Sequence, residues 1–183
     1  MPFYFNGAGY VNKHRDALFL YEESSGKLTR VTKEAFSTGS AHLSPDGKQV
    51  LFTGQSYTVK RKNKSGVYVY DRETGRTTER LKPRAHDLYD ALWWGEKILL
   101  LATDGKRYGL NENAQFYTLN PASGEAALLA PYEDALGSSV GSDCRLGGGR
   151  EWVQEGDQLS FVTTLGGASQ VYRLHAAREL RHV

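Results

Sequence analysis

Gly137-Ser138-Ser139-Val140-Gly141 matches G-x-S-x-G, the pattern that presents a serine nucleophile on a sharp strand-to-helix turn. That turn works only if a helix follows and the next backbone N–H completes an oxyanion hole. Here the chain continues Ser142-Asp143-Cys144-Arg145-Leu146-Gly147-Gly148-Gly149. Three consecutive glycines and no apolar periodicity argue against a helix. In a chain with 20 glycines the pattern also arises easily by chance. Ser139 is therefore read as a loop residue, and no catalytic residue is assigned.

The other reactive side chains are scattered. His14, His42, His86, His175 and His182 form no metal-ligand spacing with each other or with Cys144. No metal or cofactor is expected. His86-Asp87 has the residue types of a base and its orienting carboxylate. Adjacent residues on an extended segment point to opposite sides, so a surface or turn histidine is expected instead. Cys144 is alone and has no identifiable catalytic partner. The loop from Asp143 to Arg150 is more informative. Asp143, Arg145 and Arg150 stand among glycines that let the backbone turn tightly. These three charges either touch a substrate or a neighbouring domain, or they pair internally and fix the loop.

The net charge of +2 is too small to imply a nucleic-acid partner, and none is expected. The basic run Lys60-Arg61-Lys62-Asn63-Lys64 lacks interleaved aromatic residues and reads as a solvated hairpin tip before Ser65-Gly66. No stretch approaches the length of apolar chain that spans a bilayer, so no membrane partner is expected. The chain shows no basic, then apolar, leader at its start. With a single cysteine, this points to the reducing cytoplasm.

The elements that carry these residues repeat. Tyr21 to Arg30, Tyr70 to Glu79 and Leu119 to Leu128 are three copies of one strand–turn–strand pattern. Their glycines, Gly26, Gly75 and Gly124, are 49 residues apart each time. A weaker fourth copy is Val171-Tyr172-Arg173-Leu174. A period near that length with strand–turn content is the signature of β-propeller blades. Tyr (11), Phe (7) and Trp (3) supply the aromatic residues that half-buried strands favour.

One unit can be read strand by strand. Ser40 to Ser44 is the innermost strand, and Pro45-Asp46-Gly47-Lys48 is a tight turn. Gln49 to Gly54, Val67 to Asp71 and Thr77 to Leu81 complete the blade. The next unit has Leu92-Trp93-Trp94 near its first turn, then Lys97 to Ala102, Gln115 to Leu119 and Glu125 to Ala130. Of the two tryptophans, one is expected in blade-to-blade core, and a peptide-binding platform is the lesser reading. The last unit turns at Trp152 to Asp157 and continues with Gln158 to Thr163 and Ser169 to Leu174. The expectation is an all-β, partial β-propeller of four-stranded blades. It has a partial blade over 1–35 and blades at about 40–82, 88–130 and 138–183, the last with its strands over about 150–183. The incomplete first unit points to a segment of a larger domain.

Several stretches resemble a known family. Phe3-Tyr4-Phe5-Asn6-Gly7-Ala8-Gly9-Tyr10, Lys13-His14-Arg15 and Leu18 to Tyr21 are similar to the propeller of acylaminoacyl-peptidase-like members of the prolyl oligopeptidase superfamily. So are Leu43 to Lys48 and Ser138 to Arg150. The Ser-Pro-Asp-Gly-Lys turn is shared with TolB-like propellers. The resemblance implies an N-terminal propeller that covers a C-terminal α/β-hydrolase domain and restricts access to short peptides. It implies that the hydrolase domain, with its serine, aspartate and histidine, lies beyond Val183, so this chain alone is not the enzyme. The implied partners are that hydrolase domain of the parent chain and short peptides. The alternative is a stand-alone TolB-like propeller that scaffolds proteins. Self-association of the chain is expected from the open faces of an incomplete ring.

Overall fold

Antiparallel strands joined in sequence order build the protein, whose computed structural model describes residues 15–58, 61–138, 151–175 and 180–183. The first pair is a hairpin of β1 (Phe19–Glu22) and β2 (Lys27–Arg30). The first complete sheet holds β3 (Phe36–Leu43), β4 (Gln49–Ser56), β5 (Gly66–Asp71) and β6 (Thr77–Leu81). The second holds β7 (Asp87–Trp94), β8 (Lys97–Thr103), β9 (Gln115–Leu119) and β10 (Ala126–Ala130). The third holds β11 (Trp152–Glu155), β12 (Gln158–Leu165), β13 (Ala168–His175) and β14 (Leu180–His182). Within each sheet the strands lie in chain order, so each is a meander with its first strand at one edge. Among the described residues the only helical element is one 3-10 turn at Gly109–Asn111.

The repeated turns explain the 49-residue signal. Asp71 accepts hydrogen bonds at its Oδ1 from the Thr74 backbone N–H (2.8 Å) and hydroxyl (2.9 Å). Asn120 plays the same part, accepting from the Ala122 N–H at 2.9 Å. Such side chains mimic a backbone turn and leave the next position to a left-handed residue. Gly75 and Gly124 supply it, with φ of 69° and 72°. The sequence pattern thus marks the connection between the third and fourth strands of the first two complete sheets, and the turn of the β1–β2 hairpin.

Burial on both faces shapes the middle strands. On β8, Ile98, Leu100 and Ala102 pack toward the first complete sheet, against Leu51, Val67 and Val69. Leu99 and Leu101 pack the other way, against Leu159, Phe161 and Leu174 of the third sheet. A strand buried on two faces reads as a continuous apolar run, as Lys97 to Ala102 does. The first complete sheet meets the β1–β2 hairpin through Phe36, Val50 and Phe52, with Leu18, Leu20 and Val31. The Phe36 and Phe52 rings meet edge-on, centroids 5.8 Å apart.

Three sequence expectations need adjustment. β3 begins at Phe36 rather than Ser40, because Phe36, Ser37 and Thr38 pair with Ser56, Gln55 and Gly54 of β4. Trp152 to Glu155 form a strand, and the turn proper is at Gly156. Trp93 and Trp94 both pack into inter-sheet core, on opposite faces of β7: Trp93 toward the first complete sheet and Trp94 toward the third.

Candidate functional site

The first strands of the three sheets, β3, β7 and β11, meet at their free edges, and a polar cluster ties them there. Asp90 on β7 is its centre. Its Oδ1 lies 2.8 Å from His42 Nε2 on β3, and its Oδ2 accepts from the Trp152 indole N–H on β11 at 2.9 Å. The Ser40 hydroxyl also helps to stabilise the charge on this carboxylate. The Ala91 backbone N–H completes the shell at 2.8 Å. Trp93 reaches from β7 to the His42 carbonyl at 3.4 Å, and the Gln154 side chain donates to the Trp93 carbonyl.

Local irregularities aim these groups. The pairing of β7 with β8 shifts register between Leu88 and Asp90, and that of β3 with β4 shifts between Thr38 and Ala41. A bulge in an edge strand re-aims side chains that a regular strand would place elsewhere. Both bulges lie on the strands that form the cluster.

The electrostatics are set by competition. Burial alone raises the Asp90 pKa, for the residue is 4% exposed. The hydrogen bonds from His42, Ser40 and Trp152, with the His42 charge, outweigh it and hold the carboxyl below its ordinary value. Asp90 is thus a buried anion, and His42 Nε2 faces it as a donor. The Ser40 hydroxyl pairs with the Thr53 hydroxyl (3.2 Å), not with the far nitrogen of the imidazole. The arrangement therefore clamps three sheets and presents binding groups rather than aligning a nucleophile with a base.

A cleft of about 680 Å3 opens beside the cluster. His42, Leu92, Glu151, Trp152 and Gln154 line it. His42 is partly open to it, its side chain 37% exposed.

The sequence-derived candidates fall elsewhere. Asp143, Arg145, Arg150, Ser139 and Cys144 lie outside the described residues. Arg150 directly precedes Glu151 of the cleft wall. His86 and Asp87 do not pair with each other. The His86 ring packs edge-on against Tyr117 with centroids 5.0 Å apart, and burial lowers its pKa. Of the surface or turn histidine expected, the turn holds: His86 is half-buried and directly follows the bend that leads into β7. In the basic run, Lys64 crosses to the next sheet and donates to the Asp104 carbonyl at 2.9 Å. Gln55 holds the backbone of Lys62. Among the described residues no group of three His, Cys, Asp or Glu side chains has a geometry that could hold a metal ion. None of their helices is long and apolar enough to cross a membrane.

Sequence reasoning missed Asp90 and Trp152 and left His42 unassigned. A signal was present. His42 and Asp90 are 48 residues apart, one short of the repeat, so they sit side by side on successive first strands.

No protein-family model and no curated protein matches the chain. Solved structures do. TolB from Acinetobacter baumannii is similar at a TM-score of 0.59 and 18% identity, over 92% of this chain and 37% of that one. A putative TolB from Agrobacterium tumefaciens is similar at a TM-score of 0.61 and 14% identity, over 92% of this chain and 56% of that one. The chain is a partial β-propeller. A puromycin-hydrolyzing peptidase from Mycobacterium tuberculosis is similar at a TM-score of 0.58 and 18% identity, over 87% of this chain and 24% of that one. This propeller spans about a quarter to just over a half of the length of these three structures. At these identities the likeness shows the β-propeller fold alone.

Proposed function

We propose that this chain is the non-catalytic, N-terminal propeller segment of a cytoplasmic serine peptidase, where it gates and orients short peptides for a hydrolase domain. The observation that carries the reading is the cleft at the converging first strands. It offers a half-exposed imidazole, a carboxylate, a primary amide and an indole on a rigid, clamped frame. Such a mix of few polar groups on an apolar wall suits peptide backbone and termini. The residue resemblance of the segments around Leu43 to Lys48 and Ser138 to Arg150 points the same way. Asp143, Arg145 and Arg150 join this reading as a loop that contacts substrate or the hydrolase domain.

The test is peptide hydrolysis by the complete protein that contains this chain. Short peptides are cleaved, and His42→Ala and Glu151→Gln raise KM several-fold while kcat for a small ester is unchanged. The isolated chain hydrolyses neither peptide nor ester. Stoichiometric fluorophosphonate labelling at Ser139 in the isolated chain overturns the assignment. A second reading, a TolB-like protein-binding scaffold, is favoured by the fuller cover of this chain in the TolB comparisons, 92% against 87%. Absence of any peptide hydrolysis by the complete protein decides for it.

A further inference from the structure

A second recess lies away from the cleft, between the outer strand of one sheet and a turn of the next. It has a volume of about 450 Å3. One wall is the end of β6 and the connection to β7, with Arg80, Lys82 and Arg84. The other is the β9–β10 turn, Pro121 to Gly124. Arg80 bridges the two walls, donating to the Pro121 carbonyl at 3.3 Å. Its Nε is buried and makes no hydrogen bond. A buried cationic donor without an acceptor is uncommon, because it forfeits hydration without replacement.

The charge around the recess is unbalanced. A tight bend through Pro83, closed by the Arg84 N–H on the Lys82 carbonyl at 2.8 Å, holds Lys82 and Arg84 near each other. Both are exposed, and neither pairs with a carboxylate of a described residue. Two carboxylates adjoin the recess: Glu79, which lines it, accepts from the Tyr68 hydroxyl at 3.3 Å, and Glu125 accepts from the Ser123 hydroxyl at 3.4 Å. Three cations thus surround a recess whose two carboxylates each hold another partner.

We infer that this recess is an oxyanion site that takes a phosphate group, with Arg80 as its fixed donor and Lys82 and Arg84 as mobile counter-charges. A guanidinium offers several donors in one plane, and phosphate oxygens match them. The two lysine and arginine side chains at the rim supply attraction that salt screens. The phosphate is either free or carried as a monoester on a small molecule.

The test titrates the chain with inorganic phosphate and, separately, with glycerol phosphate, each against sodium chloride at matched ionic strength. The readout is the NMR signal of the Arg80 Nε–H and the amides of Ala122 and Ser123. Saturable shifts with either phosphate and none with chloride are expected. Saturation by the ester alone assigns the site to a phosphoryl group on a larger molecule, and saturation by both assigns it to phosphate itself. The double variant Lys82→Ala/Arg84→Ala keeps Arg80 and the fold, and weakens binding by about tenfold. Shifts that chloride reproduces, the absence of saturation with both ligands, or unchanged affinity in the folded double variant overturn the inference.

Discussion

On β8, Ile98, Leu99, Leu100 and Leu101 are fully covered, whereas on the β1–β2 hairpin Phe19, Tyr21 and Leu28 are 45%, 67% and 62% exposed. Both regions carry large apolar side chains on short strands. They differ in their neighbours. β8 has a complete sheet on each face, and the hairpin has one on a single face. In this architecture a strand does not make its own core, because the next sheet supplies it. The same rule governs the polar site. Asp90 is satisfied by His42 from one neighbouring sheet and Trp152 from the other.

The largest effect that sharpens this contrast belongs to β8. Leu100→Ala removes a side chain with no exposure from the core between the first two complete sheets. The loss of transfer energy plus the cavity left behind is about 3 kcal/mol. Denaturant unfolding measures it through the midpoint. A loss below 1 kcal/mol, by the same rule, breaks the claim that the neighbouring sheet makes this core.

Next comes the clamp. Asp90→Ala leaves the Trp152 indole without its acceptor and strips His42 of its partner. A cost of about 2 kcal/mol is expected, since buried donors lose their bonds. Its pH dependence carries a sign. The folded carboxyl titrates below its ordinary value, so the folded state favours the charged form. Its contribution is fully present above the unfolded aspartate pKa of about 3.9 and is lost as pH falls through the lower folded value. Unfolding free energy measured on the acid side shows this fall in the wild type. Asp90→Asn lacks that part of it.

A steric test follows in size. A Cβ at Gly54 would lie 2.5 Å from the Ser37 carbonyl oxygen and closer still to the Phe36 ring. Backbone on the paired strand gives little, so Gly54→Ala costs about 2 kcal/mol by overpacking. Thermal unfolding reads it as a lower Tm. An unchanged Tm shows that the β3–β4 bulge can relax around the new methyl.

The same contrast explains what could be read from the chain. Turns were legible because they are local: Asp71 and Gly75 fix one from within four residues of sequence. β8 was legible because burial on both faces leaves an unbroken apolar run. The Asp90 cluster was hidden for the opposite reason. Its members come from three sheets, and bulges, which leave no composition signal, re-aim two of the strands. The cover on His86 was hidden in the same way, since Tyr117, which packs on it, lies 31 residues on. Non-local partners are visible only once the repeat is used as a ruler across blades.

The smallest effect tests the open side of the comparison. Leu28 sits on β2 opposite Tyr21 of β1, with 62% of its surface in solvent. Leu28→Asp therefore changes the stability of the single chain by less than about 0.5 kcal/mol, as exposed substitutions do. Its effect on association has a different cause. An exposed apolar strand at a sheet edge is a template for another chain, and an inserted charge is how such edges are blunted. Sedimentation at rising concentration separates the two. If the wild type associates through the hairpin, the variant stays monomeric at concentrations where the wild type does not, with the same unfolding midpoint at high dilution. A variant that associates as the wild type does moves the contact to another surface. A variant that loses as much stability as Leu100→Ala shows that the face of the hairpin is already covered, and the contrast with β8 then fails.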